Sequence, residues 1–269
     1  MMKKLFVLLY GVLAYLLFFS TFLYLIGFIG NLFVPKGIDD GQSVSMLQAI
    51  VANFLLLALF AVQHSVMARP WFKKRWTKII PAEIERSTFV VFACTALIAL
   101  FVLWRPVGIV VWSVESSFLS GVLLALFGLG WTIVLVSSFL INHFDLFGLR
   151  QVWLYFRGKP HTQLPFATPF LYNWIRHPLY FGLLLGFWAA PVMSVSRLFL
   201  AVVWTAYVFY AIGLEENDLI RVFGEKYRSY RKRVPMMIPS IFSKKVFWKI
   251  PSIQKLLFND EKYFPQKVK

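Results

Sequence analysis

Two groups of side chains in this 269-residue sequence have the types and spacing to do chemistry. The first pairs Arg176-His177-Pro178-Leu179-Tyr180-Phe181-Gly182 with Glu215-Glu216, Asp218 lying just beyond. Pro178 fixes φ and suits the first position of a helix, while His177 before it is held out of helical geometry. Such a turn aims Arg176, His177 and free backbone N–H groups at one place, a seat for a carboxylate at a positive helix end. Tyr180 offers a ring to stack on, and Gly182 offers room for a close approach. Glu215 and Glu216 can hold an amino group or ribose hydroxyls, as acidic residues do in dinucleotide sites. If the apolar residues between them form a hairpin, the two ends meet. A basic turn opposite an acidic pair then complements a zwitterionic nucleoside carrying an amino acid.

The second group is Asn142-His143-Phe144-Asp145-Leu146-Phe147-Gly148-Leu149-Arg150-Gln151-Val152-Trp153, where His, Asp, Arg and Gln gather among aromatic residues. It reads either as a capped helix end with a local salt bridge or as another wall of the same site. Gln63-His64-Ser65 forms a polar triplet near the end of an apolar run. Polar residues there are expensive unless paired or facing a cavity, so His64 is either an interhelical contact or a pocket residue. Glu83-Ile84-Glu85-Arg86-Ser87-Thr88 reads as a helix start whose carboxylates favour the positive end. Gly158, Pro160, Pro165 and Pro169 make an irregular loop suited to cover a cavity, in which His161 reads as solvated. The four His residues lie in separate segments without ligand spacing, so no metal site is expected. Cys94, the single cysteine, reads as a buried inert thiol and excludes a disulfide framework.

The elements that must position these groups are membrane helices. The sequence is 59% hydrophobic and 15% charged, against about 45–50% and about 25% in soluble domains. Leu5–Val34, Ser43–Met67, Ser87–Trp104 and Ser116–Asn142 each hold at most one charged residue, and each approaches or exceeds the roughly 20 residues a crossing needs. Leu179–Ser196 and Leu198–Leu214 are shorter, and Pro191 interrupts the first of them. They are expected to form a tight hairpin, giving six crossings, or five with a re-entrant end. The fold class is therefore all-α, a polytopic transmembrane bundle of five to six spans with a basic C-terminal helical tail. No alternating strand pattern suggests a barrel. The run after Met1-Met2-Lys3-Lys4 is too long for a signal peptide and reads as an uncleaved first helix.

Charge placement sets the orientation. Of the 28 Lys and Arg residues, 25 fall on one side of this arrangement, leaving Lys36, Arg105 and Arg197 for the other. Basic residues mark the cytoplasmic face, so both termini and the chemistry are expected inside. The net charge of +16 is accounted for by topology and attraction to anionic lipid; no folded basic module suggests nucleic-acid binding. The chain reads as one integral-membrane domain over 1–269. Residues 1–142 form the scaffold, 143–178 a cytoplasmic loop and acceptor side, and 174–239 the cofactor hairpin and tail.

Arg176-His177-Pro178-Leu179-Tyr180-Phe181-Gly182, Glu215-Glu216 and the tail Phe223-Gly224-Glu225…Tyr227…Tyr230 resemble the integral-membrane S-adenosylmethionine-dependent methyltransferases. That superfamily includes isoprenylcysteine carboxyl methyltransferase and phospholipid N-methyltransferases. Gln63 to Pro70, Glu85-Arg86-Ser87-Thr88, Trp104-Arg105-Pro106 and Asn142 to Gln151 look like a narrower branch, the bacterial methanethiol S-methyltransferases. The resemblance implies a bacterial cytoplasmic membrane and methyl transfer from S-adenosylmethionine to a small thiol, giving dimethyl sulfide from methanethiol. It implies that Arg176, His177, Pro178, Tyr180, Gly182, Glu215 and Glu216 hold the cofactor. The acceptor side is expected to comprise His64, Asn142, Phe147, Gln151, Trp153, Tyr172 and Trp174. A thiolate is the effective nucleophile, so His143 or Asp145 is the candidate proton acceptor and Arg150 the residue that orients the carboxylate or steadies the thiolate. Deprotonation by water is an equally simple account. Two other readings stay open: a larger lipid-like acceptor, and a non-catalytic NnrU-like membrane protein.

Overall fold

The computed structural model describes residues 1–42, 44–162 and 164–238; the expected Pro239 exit and the residues after it lie outside them. In chain order the helices α1 (Met2–Gly30), α2 (Met46–Met67) and α3 (Pro70–Trp76) come first, and a 3-10 turn (Ala82–Ile84) then leads into α4 (Glu85–Leu103). Strand β1 (Val110–Ser113), α5 (Ser117–Ile141), α6 (His143–Leu146) and α7 (Leu149–Phe156) follow. A second 3-10 turn (Phe170–Asn173), α8 (Pro178–Trp188), strand β2 (Val192–Ser194), α9 (Val195–Phe223) and α10 (Glu225–Arg233) complete the described chain. Five helices are long and apolar enough to cross a membrane: α1, α2, α4 with its 3-10 lead-in, α5 and α9. The uncharged runs become helices because lipid offers the backbone no hydrogen-bond partner, so each segment must satisfy its own. The protein is a polytopic helical membrane protein.

The short hairpin resolves into an unequal pair. Helix α8 has only 11 residues, roughly 16 Å at about 1.5 Å per residue, and cannot span alone. Ala189-Ala190-Pro191 ends it, and the chain continues extended as β2. That strand pairs antiparallel with β1, joining Val110 to Ser194 and Ser113 to Val192 across a bulge. Since β1 connects α4 to α5, the pairing puts the far end of α8 on the face where α4 ends. The segment thus reaches the far face with half a helix and a strand, beside the five helices long enough to cross. The small sheet was not anticipated from the sequence. Helix α9 also exceeds expectation: it does not stop at Leu214 but runs through Glu215 and Glu216 to Phe223.

Helix α8 is seated on α5 through glycine. A Cβ on Gly182 would lie 2.6 Å from the Gly130 carbonyl oxygen and 2.9 Å from the Val134 nitrogen. One on Gly130 would meet Gly182 O and Gly186 N, both at 2.7 Å. Small residues allow such backbone contact between membrane helices. Phe28, Phe101, Trp104, Phe127, Trp131, Leu200 and Trp204 fill the core beside this seam. At the β1–β2 face, Asp39 accepts from Ser194 Oγ and pairs with Arg197 at 3.1 Å, tying the α1–α2 loop to the start of α9.

Candidate active site

The opposite face, where α8 begins and α9 ends, brings Arg176, His177, Glu215 and Glu216 together as the hairpin requires. Glu216 is 5% exposed and is the centre of the group. Its Oε1 accepts from Arg176 Nε at 2.7 Å and from His177 Nε2 at 3.1 Å, and its Oε2 pairs with Arg231 Nε on α10 at 3.1 Å. Arg176 Nη1 also donates to the carbonyls of Arg231 at 3.0 Å and Val234 at 2.6 Å. A buried carboxylate between two guanidinium groups and an imidazole N–H keeps its charge because the hydrogen bonds and opposite charges offset its burial.

The backbone N–H groups expected to be free are taken. After α10 the chain folds back over the start of α8, where Arg176 N donates to Pro235 O at 2.9 Å and His177 N to Met236 O at 3.1 Å. Residues 234–236 thus form a strap across the turn, with Met237 buried against Val208 and Ile212 beyond it. Gly182, expected to give a ligand close approach, is packed against α5. Pro178 is buried at the first position of α8.

What stays open lies beside this lock. Glu215 Oε2 is buried without a hydrogen bond among the described residues, 3.9 Å from His177 Nδ1. Tyr180 faces the same carboxylate. The Tyr227 hydroxyl and Ser137 Oγ are also buried without partners among the described residues. Burial, with the Glu216 and Glu215 charges adding, pushes the Tyr227 phenol up. Burial pushes up Tyr172 with help from Glu215, and Tyr230 with help from Glu216. All three therefore remain protonated donors at neutral pH. Tyr230 donates to the Tyr172 carbonyl, fixing the 3-10 turn before the lock. An orphaned carboxylate oxygen, orphaned hydroxyls and phenol rings fit a ligand that brings amino or hydroxyl donors and an apolar ring. Arg231, Tyr207, Tyr227 and Tyr230 were not singled out as site residues in the sequence. The tail motif held the signal for Tyr227 and Tyr230, but nothing local marks Arg231 as a partner of Glu216.

The second group is arranged differently from expectation. His143 is 2% exposed, its Nε2 bonded to Tyr15 Oη at 2.9 Å and its Nδ1 to Ser138 Oγ at 2.8 Å. Its ring stacks on Phe139 at 4.1 Å, and burial lowers its pKa. Asp145 Oδ1 takes Arg150 Nη1 at 2.9 Å and His161 Nε2 at 3.1 Å, and Arg150 also donates to Thr162. His161 is therefore paired and not merely solvated. Asn142, at φ 108°, caps α6 by accepting from Asp145 N. Gln151 donates to the Asp145 carbonyl at 3.0 Å, leaving its Oε1 buried and unpartnered. Phe147 stacks on Phe18 at 3.6 Å, and Trp153 on Phe156. Tyr172 donates to Ser137 O at 3.4 Å, and Trp174 is exposed. His64 lies between Phe60 and Phe89, ring centres 5.1 and 4.9 Å away, its Nδ1 buried without a partner. Beside it Ser65 Oγ meets Tyr207 Oη at 3.2 Å, and Tyr207 in turn neighbours Tyr180. His64 thus adjoins the α8–α9 site, whereas His143, Asp145 and Arg150 close on themselves. Among the described residues no three His, Cys, Asp or Glu side chains converge as a metal site would.

The family model for phospholipid methyltransferase matches residues 116–226, from the start of α5 into α10. That stretch contains the whole lock except Arg231 and the strap. A methanethiol S-methyltransferase of Crocosphaera subtropica is 51% identical over 243 residues, 90% of this chain and 95% of the relative. One of Mycobacterium tuberculosis is 46% identical over 238 residues, covering 88% of this chain and 98% of the relative. Nurim of Rattus norvegicus is 31% identical over 188 residues, 66% of this chain and 71% of Nurim. No solved structure matches the chain. Similarity at this level over about nine-tenths of the chain, well beyond the 116–226 part, establishes that the chain belongs to the methanethiol S-methyltransferase family.

Proposed function

We propose that this membrane methyltransferase transfers the methyl group of S-adenosylmethionine to the sulfur of methanethiol, giving dimethyl sulfide and S-adenosylhomocysteine. The observation that carries the reading is the open carboxylate oxygen of Glu215 beside the closed Arg176–His177–Glu216 lock, in a chain whose relatives bear that activity in their names. Bound there, S-adenosylmethionine supplies an electrophilic methyl group on a sulfonium sulfur. Glu215 accepts from the ligand's amino or ribose donors, and the phenols of Tyr180 and Tyr227 line its path. Aromatic faces attract cations, at about 0.5–2 kcal/mol per contact, which suits a sulfonium. Arg176, His177, Glu216 and Arg231 do not reach for ligand; they hold the ends of α8 and α9 at the spacing the ligand needs. Positioning of this kind can supply roughly 7–11 kcal/mol of a displacement barrier.

On the acceptor side, His64 has a buried ring nitrogen without a hydrogen bond among the described residues, next to Ser65 and its partner Tyr207. His143, Asp145 and Arg150 position the wall formed by Phe147 and Gln151, and they take no proton from substrate. Trp174, Tyr172 and Asn142 frame that wall. The site faces the cytoplasm of a bacterial inner membrane, in keeping with the concentration of Lys and Arg on that face. Headspace gas chromatography on detergent-purified protein tests the reading. Dimethyl sulfide is expected only when protein, S-adenosylmethionine and methanethiol are all present. S-adenosylhomocysteine binding without a volatile product would redirect the reading to a larger acceptor, and the absence of both product and binding would overturn it.

A further inference from the structure

Arg86 occupies the second position of α4, where the sequence suggests only a helix start. Its Nε donates to the Leu146 carbonyl at 2.6 Å, and its guanidinium lies 4.7 Å over the ring centre of Phe89. Those two contacts fix the plane of the group. Its Nη groups meet no acceptor among the described residues. Contrast Arg150, whose Nη atoms are all engaged by Asp145 and Thr162.

The surroundings of Arg86 hold unusual unmet polarity. Gln63 Oε1 and His64 Nδ1 on α2, Glu85 Oε1 on α4 and Gln151 Oε1 on α7 are buried with no hydrogen-bond partner among the described residues. Buried polar atoms are seldom left so, and four at one end of one helix group call for a small polar guest. The walls are apolar and polarisable: Phe89 and Met67 belong to one cluster, with Phe147 packed against it. From this cluster His64, Phe60 and Tyr207 lead toward Tyr180 and Glu215. Both His64 and Arg86 precede residues 116–226, the part matched by the phospholipid methyltransferase model.

We propose that Arg86 is a catalytic residue that receives the acceptor sulfur as a thiolate, its free Nη groups donating to the anion next to His64. This rests on the thiol-methylation reading above. The thiol proton leaves to water, the sulfur lone pair forms the new S–CH3 bond, and the pair of the broken C–S bond stays on the departing thioether. Charged groups facing Arg86 are Glu85 on its own helix, Lys73 on α3 and Asp145 on α6, with the His64 ring on α2 beside it and Arg69, just before α3, next to His64 and Lys73. Glu85 is shared with Lys73 at 4.0 Å, and Asp145 with Arg150 and His161, so neither carboxylate neutralises the guanidinium by direct pairing.

The test uses the full-length protein in detergent, with methanethiol and the more acidic 2,2,2-trifluoroethanethiol as acceptors across pH 6 to 10. In the wild type, kcat for methanethiol should rise with a break below the free thiol's own pKa, since kcat reports ionisation in the bound state. Arg86→Gln should lower methanethiol turnover at pH 7 by about 30-fold or more, move the break upward, and lose much less with the acidic thiol. Its S-adenosylhomocysteine affinity should stay within about twofold. Arg86→Lys, which keeps the charge but not the fork, should fall between. A wild-type break at the free thiol's pKa overturns the proposal without any variant. So does a folded Arg86→Gln with turnover within about threefold and an unshifted profile. If the wild type forms no methylated thiol at all, the thiol reading fails first and takes this one with it; an active wild type indifferent to Arg86 removes only the present proposal.

Discussion

Glu215 and Glu216 are adjacent in sequence and opposite in circumstance. Glu216 is buried among Arg176, His177 and Arg231, while the Glu215 side chain is 44% exposed with one buried oxygen unmet. Glu216→Gln should therefore lower both stability and cofactor affinity, since breaking a buried pair costs about 3–5 kcal/mol. Glu215→Gln should weaken S-adenosylhomocysteine binding about tenfold and leave the melting temperature unchanged. Calorimetric titration beside thermal melts separates the two, and equal melting losses would place both residues in the lock. His143 gives a pH signature. Burial lowers its folded pKa, and an unfolded ring titrates at about 6.5, so as pH falls the unfolded chain takes up its proton first. Stability should decline from about pH 6.5 downward and level off once the folded ring protonates. His143→Gln should flatten that part of a melting-temperature profile; an unchanged slope would show that His143 does not titrate there.

At the scale of elements, the site depends on α8 keeping its place on α5. Gly182 and Gly130 bring the two backbones into contact, so any side chain there must push α8 away from the lock it begins. Gly182→Val should cost at least the roughly 1–3 kcal/mol of an overpacked core, read as a lower melting temperature with weaker S-adenosylhomocysteine binding. Normal binding in a folded variant would mean that α8 can shift without disturbing Arg176 and His177. The strap 234–236 explains why a helix of 11 residues can start in place: the carbonyls of Pro235 and Met236 meet its leading amides, and Val234 and Arg231 hold Arg176.

For the molecule as a whole, the β1–β2 pairing makes the number of passes even. The start of α1 and the end of α10 then share a face with the lock, the face that holds most of the Lys and Arg. Reporter fusions at residue 2 and after residue 233 should both give cytoplasmic signals, and a fusion in the β1 loop the opposite one. Split signals from the two ends would mean that α8 turns back and the pass is not completed. One surface hollow of about 350 Å³ adjoins the lock through Arg231, with Ile220, Arg228 and Lys232 around it, and another of about 360 Å³ lies on the other face beside Asp39 and Arg197.

The sequence by itself determined the bundle and the meeting of Arg176 and His177 with Glu215 and Glu216. Uncharged runs have few alternatives in lipid, and a hairpin must bring its ends together. It also marked the second group, Asn142 to Gln151, as structured. Only the tertiary structure decided which of these side chains is engaged and which is free. Arg150 resembled a ligand-binding group until Thr162 and Asp145 took its donors, and Arg86 resembled a helix start until its Nη groups were found unmet. Free backbone amides before Pro178 were a fair inference from local geometry, yet Pro235 and Met236, nearly sixty residues on, accept from them. Hydrogen-bond partners so distant in sequence leave no periodic or local trace, because what fixes them is the packing of whole helices.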